Sequence, residues 1–139
     1  MDISLIPTEE NESSVFDIDY DDSGDFIQDD LDTSIYIGLF GDARADESEV
    51  PTSEQRRGFW GKVLDDIVTG SKIWLQDGRK TVENLGRILD FTDKSLAFLV
   101  DEGLEKKVES NAIFIEKGIA LFITVTRLDN SIVTKKYIV

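Results

Sequence analysis

Residues 108–139 read VESNAIFIEKGIALFITVTRLDNSIVTKKYIV, and the fold class is decided there. Apolar and polar side chains alternate with a period of two, which puts successive residues on opposite faces of a strand. Val108 to Ile115 is expected to form one strand, Lys117-Gly118 a turn, and Ile119 to Leu128 a second strand. Ile119, Leu121, Ile123 and Val125 share one face of that second strand, while Ala120, Phe122, Thr124 and Thr126 share the other. Asp129-Asn130-Ser131 carries turn chemistry, and Ile132 to Val139 supplies a third strand. Short turns between three such strands make an antiparallel meander.

Upstream the period becomes helical. Thr81 suits an N-cap, Val82, Leu85, Ile88, Leu89, Leu96, Leu99 and Val100 follow at helical spacing, and Gly103 stands where a left-handed C′ glycine belongs. Phe91-Thr92-Asp93 reads as a break into two helices, with Thr92 capping the second. Ile73-Trp74-Leu75 reads as a brief helix after a loop at Thr69-Gly70-Ser71. Leu31, Ile35, Leu39 and Ala43 recur every four residues behind an Asp29 or Asp30 cap, predicting a helix that ends between Gly41 and Ala45.

Phe16, Ile18 and Tyr20 alternate with Asp17, Asp19 and Asp21, and a turn at Asp21-Asp22-Ser23-Gly24 leads to Phe26-Ile27 as a returning strand, an acidic hairpin. Residues 1–14 read as a disordered or partner-ordered lead. The plan is α+β, an N-terminal acidic hairpin and helices before a C-terminal antiparallel β-meander. Residues 15–139 are expected to form a single domain, with an acidic arm at 15–50, a helical part at 51–103 and the meander at 104–139.

The 139 residues carry a net charge of −14, and its distribution is uneven. Residues 1–50 hold 16 acidic side chains against Arg44 alone, whereas residues 51–139 hold 13 acidic and 14 basic ones. A near-neutral body thus carries an arm that repels phosphate and attracts a basic partner, which argues against nucleic acid as a ligand. The chain has no cysteine and no histidine, so it lacks a disulfide framework, a thiolate metal site, a cysteine nucleophile and a Ser-His triad. No apolar run has the length of a membrane span and the acidic start is unlike a signal peptide, the pattern of a soluble protein made inside the cell. No catalytic residue, cofactor site or metal site is expected.

Three constellations carry information. Asp19 to Asp30 approximates a calcium loop, with oxygen side chains at its first, third, fifth and twelfth positions and Gly24 at the sixth. Its last residue is Asp instead of the longer Glu, and a strand-like segment precedes it, so it reads as a solvated acidic hairpin. Arg57-Gly58-Phe59-Trp60-Gly61 has the composition of an interface anchor, a pair of aromatic rings between glycines. The same stretch suits a packed loop with Arg57 or Arg44 bonded to Asp42. Finally, Ile132, Thr134, Lys136 and Ile138 lie on a last strand that is either self-protected by Lys135 and Lys136 or paired with another chain. Strand donation or acceptance is the reading adopted.

In this order the motifs resemble the small baseplate protein family of Mu-like contractile-tailed phages. The family's acidic-leucine-threonine helix start and Leu-Phe-x-Asp-x-Arg-Ala turn read here as Asp30-Leu31-Asp32-Thr33-Ser34-Ile35 and Leu39-Phe40-Gly41-Asp42-Ala43-Arg44-Ala45. Its proline, Arg-Gly-Trp-Trp-Gly and Gly-Ser-Arg-Leu-Trp-Leu stretches read as Pro51, Arg57-Gly58-Phe59-Trp60-Gly61 and Gly70-Ser71-Lys72-Ile73-Trp74-Leu75. Its Ala-Leu-x-Trp-Leu-x-x-Asp-Gly pattern reads as Ser95-Leu96-Ala97-Phe98-Leu99-Val100-Asp101-Glu102-Gly103, and the likeness spans about residues 16–127. Phe59 and Phe98 stand where the family has Trp, and Lys62 where it often has Asp.

The resemblance implies a wedge component of the virion tail baseplate that initiates the sheath. It implies sixfold copies within the baseplate, contact with other wedge proteins and with sheath or tube subunits, and assembly in the host cytoplasm. The class carries a lysozyme-like label that no residue pattern here supports. Two other functions fit the composition alone. One is an acidic DNA-mimic inhibitor, although its charge should spread over a whole surface. The other is a wall-degrading enzyme, although with 29 acids no particular carboxylate pair stands out.

Overall fold

A computed structural model describes residues 5–10, 13–18, 20–25, 30–58, 70–76 and 79–139. The chain forms two compact units, Met1–Ile37 and Gly38–Val139.

In the first unit β1 (Leu5–Glu10) pairs antiparallel with β2 (Ser13–Ile18), in a register from Leu5↔Ile18 to Glu10↔Ser13. The partner of the Phe16–Ile18 stretch in this ladder is therefore a segment read as lead, and the expected returning strand Phe26-Ile27 lies outside the described residues. Two intervening residues close this ladder at small entropic cost. The acidic turn is closed locally: Asp21 Oδ1 accepts from the Ser23 and Asp25 backbone N–H groups at 2.8 and 3.0 Å. Such an Asx turn is the local use of a carboxylate, and the Asp19 to Asp30 ligand set falls partly outside the described residues. Among the described residues no group of His, Cys, Asp or Glu could hold a metal ion.

Helix α1 (Asp30–Phe40) follows and stops at Gly41, within the expected interval. Its Leu31, Ile35 and Leu39 positions are all buried, as a four-residue recurrence demands.

The second unit contains α2 (Val82–Leu96), α3 (Phe98–Asp101) and the meander β3 (Lys107–Ile115), β4 (Gly118–Thr126) and β5 (Ile132–Ile138). Thr81 caps α2 by accepting the Asn84 N–H at 3.1 Å. The helical run breaks at Ala97, not at Phe91-Thr92-Asp93. Thr92 is fully buried in α2, and the Lys94–Asp90 ion pair at 2.7 Å spans it across one turn. At the break, Val100 and Asp101 both donate to the Ala97 carbonyl, and α3 ends at Gly103, whose φ of +72° is the left-handed C′ geometry.

The sheet order is β3-β4-β5, all antiparallel. The turn from β3 to β4 is Glu116-Lys117, and Lys80 Nζ donates to the Ile115 and Glu116 carbonyls at 2.5 and 2.7 Å. β4 stops two residues before the expected Leu128, because the Arg127 N–H already donates to Ser131 in the next turn. Asn130 supplies the left-handed residue of that turn, φ 67°. The face of β4 carrying Ile119, Leu121, Ile123 and Val125 is sealed, and Ile88, Leu96, Leu99 and Tyr137 are buried with it. The Tyr137 ring meets Phe40 edge-on, with centroids 5.7 Å apart.

Residues 41–58 have little regular structure and are held by residues 70–76. Asp42 and Ser71 form a parallel bridge, with Ser71 N donating to Gly41 O and Ala43 N to Ser71 O at 2.8 and 2.9 Å. Ser71 Oγ donates to Leu39 O at 2.6 Å. Lys72 Nζ reaches Asp46 and Glu49, each at 2.8 Å. Hydrogen bonding to Lys72, then to the Asp46 backbone N–H, holds the Glu49 carboxyl below its ordinary value. Burial pulls the Lys72 ammonium down, but the hydrogen bonds to Asp46 and Glu49 outweigh it and raise its pKa.

Two outcomes follow from these contacts. Gly70 has φ +88°, and a Cβ there would lie 2.3 Å from the Gly41 carbonyl oxygen. Gly70→Ala is therefore expected to lose roughly 2–4 kcal/mol of stability, read by denaturant unfolding. For Glu49, a folded-state pKa below the unfolded one means that its contribution is complete above about pH 4.3 and vanishes as pH falls through the lower folded value. For Lys72 the contribution is complete below about pH 10.4 and is lost as pH rises through the raised value. Proteolysis within residues 46–58 should accelerate at both extremes in the parent, and Lys72→Met should flatten that dependence.

Candidate assembly interface

The arginine-rich loop forms a single knot. Arg57 has φ 46° and Gly58 φ +106°, and this left-handed passage lays the backbone against Arg44, where a Gly58 Cβ would stand 2.7 Å from Arg44 Cβ. Asp42 is bonded by Arg57, whose Nη1 lies 3.4 Å from Oδ2. Arg44 bonds carbonyls instead, donating to Arg57 O and Ser53 O at 3.1 and 3.2 Å. Arg56 likewise donates to Val50 O and Pro51 O, each at 2.7 Å. The structure thus brings Asp42, Arg44 and Arg57 together. Phe59 and Trp60, the two aromatic candidates, lie outside the described residues.

Trp74 completes the knot and was not among the candidates. Its indole N–H donates to Ala43 O at 2.9 Å, and the Arg57 guanidinium sits 4.7 Å from its ring centroid. The available signal was chemical, since a packed Trp needs an acceptor for its N–H and offers its face to a cation.

The second candidate group lies on β5. In an antiparallel ladder, residues whose N–H and C=O both bond one neighbour alternate with residues whose groups turn away from it. Ile119 and Val139 exchange both bonds, at 3.1 and 2.9 Å, and Arg127 N bonds Ser131 O at the other end. The continuous register between them makes Val133, Lys135 and Tyr137 the residues bonded to β4. Ile132, Thr134, Lys136 and Ile138 therefore turn their main-chain groups outward, and the side chains of all four are exposed. These are the four β5 positions singled out from the sequence.

The other margin of the sheet is different. β4 has spent its odd-numbered residues on β5, so the outward residues of β3 are Val108, Ser110, Ala112 and Phe114. Asn111 Oδ1 caps the Ala112 N–H at 2.9 Å, Ser110 Oγ donates to Asp93 of α2, and α2 and α3 pack on β3. The β3 margin is thus partly covered from within the chain.

A general acid needs a raised carboxyl pKa. Glu49 is held low by Lys72, and Asp129 is held low by the Ser131 hydroxyl and then the Ser131 N–H.

Residues 31–132 match the family described as phage protein GP46. The chain is also 32% identical over 121 residues to the baseplate protein gp46 of Escherichia phage Mu, covering 84% of this chain and 83% of that protein. The chain belongs to the Mu-like phage baseplate protein family.

Proposed function

We propose that this protein is a non-enzymatic, structural component of the phage tail baseplate, and that it joins the wedge and starts the sheath of a contractile tail by accepting a strand along β5. Family membership supports the baseplate role, a place in the virion tail, and association with other baseplate components. The observation that carries the mechanism is the outward set Ile132, Thr134, Lys136 and Ile138, whose main-chain groups have no strand partner among the described residues, on the margin opposite α2 and α3. A strand laid there gains main-chain bonds for affinity, while its side chains set register. Wedge and sheath or tube subunits are the partners in this reading. Sixfold repetition would present six such edges around the tube, assembled in the host cytoplasm.

The Asp42–Arg44–Arg57–Trp74 knot has a separate role here: it holds residues 42–58 in one conformation for a second contact with a wedge neighbour. Neither the DNA-mimic nor the wall-degrading reading gains a specific feature from the structure.

Thr134→Pro tests the edge. The lost N–H is an outward one, so the ladder to β4 keeps its bonds, and proline is tolerated on an edge strand. Purified variant should keep its circular dichroism and melt within a few degrees of the parent. Baseplates assembled with it should carry tubes without sheath when viewed by electron microscopy. Normal sheath on those particles would refute strand addition on β5. Truncation after Asn130 is a poorer test, because removing β5 takes Tyr137 from the core and uncovers β4.

A further inference from the structure

The outer face of the sheet is built in rungs. The register sets Ile113, Ala120 and Ile138 in one, Asn111, Phe122 and Lys136 in the next, then Glu109, Thr124 and Thr134, then Lys107, Thr126 and Ile132. Residues on one rung share a face and touch, which makes each rung a unit of side-chain matching. This sheet uses that matching internally: the Thr124 and Thr134 hydroxyls are 3.3 Å apart and hydrogen-bonded.

At β5 every rung ends in an exposed side chain. Ile132 and Ile138 are 68% and 47% exposed, large apolar groups at the two ends of the edge. Between them Lys136 is exposed, and no ion pair among the described residues involves it. A bare lysine on an edge discourages casual pairing, because an incoming apolar or basic side chain would desolvate or repel the ammonium. A carboxylate in that position reverses the effect.

Resting on the strand-addition reading above, we infer that the strand accepted by β5 runs antiparallel to it and carries an Asp or Glu opposite Lys136. Read from its own N-terminus, the strand has an apolar residue opposite Ile138, the acid two residues later, a hydroxyl or β-branched residue opposite Thr134, and a second apolar residue opposite Ile132. The antiparallel sense follows from the sheet itself, whose pairs are all antiparallel. The apolar ends supply burial and the Lys136 pair selects both partner and register. A slip of two residues would set the acid against Thr134 or Ile138.

The test uses the isotopically labelled full chain and two synthetic peptides of this pattern that differ only in Glu or Lys at the selecting position. At millimolar peptide, the Glu version should slow amide exchange at Thr134, Lys136 and Ile138 and leave Val133, Lys135 and Tyr137 unchanged, since those already bond β4. It should bind about three- to fivefold more tightly than the Lys version, the range of an exposed cross-strand ion pair. Lys136→Glu, an exposed change checked by its melting temperature, should invert that preference. Equal protection by both peptides would overturn the charge selection while leaving strand addition intact. Absence of protection with either peptide would overturn both.

Discussion

The open edge of the sheet depends on one constraint: an antiparallel strand can bond only half of its main-chain groups to one neighbour. β4 has two neighbours, so all its groups are consumed and its core-facing side chains are sealed. Among the described residues β5 has one neighbour in the sheet, and which half of its groups it bonds there is not free. Tyr137 must enter the core beside Phe40, and a slip of one residue would put Lys136 there and Tyr137 in solvent. Core packing therefore decides, through register, which backbone groups face outward.

The loop of residues 41–58 obeys a different economy. It has no ladder of its own, yet its carbonyls still need donors. Arg44 and Arg56 supply them to Arg57, Ser53, Val50 and Pro51, and Trp74 supplies one to Ala43. Exposed ion pairs such as Arg57–Asp42 add little by themselves. The charge-assisted bonds to carbonyls count for more, because each satisfies a backbone group that would otherwise be left to water. This explains why an acidic stretch holds Arg44 as its one basic residue within the first 50: its guanidinium bridges two backbone segments, a task no carboxylate can perform.

The meander was legible because alternation over residues 108–139 is long, and turn residues sit at both of its corners. The end of α1, the Thr81 cap and the Gly103 stop were legible because each is a local rule about φ or an orphan N–H. The helix break was misplaced because Thr92 has the chemistry of a cap, while its side chain is in fact buried within α2. Tertiary burial overrode a local preference there. The β1–β2 pairing is not legible because the lead is mostly polar and carries Pro7, with Ile3, Ile6 and Thr8 too scattered to make an alternating pattern. Trp74 was passed over because its partners, Ala43 and Arg57, are 31 and 17 residues away, and no periodicity links them.

The uneven charge gives the assembly reading its kinetic side. At physiological ionic strength a field decays over about 8 Å, so an acidic arm attracts a basic surface only at close range and contributes to encounter more than to final affinity. A sheet edge contributes the reverse, since its bonds form only once the chains lie in register. An assembly that must not begin before its partner is in place benefits from separating the two. Residues 1–50 concentrate the charge, while the four outward rungs of β5 lie in a body that is nearly neutral. On that division of labour, weakening the edge should leave the encounter intact and abolish only what is built on it.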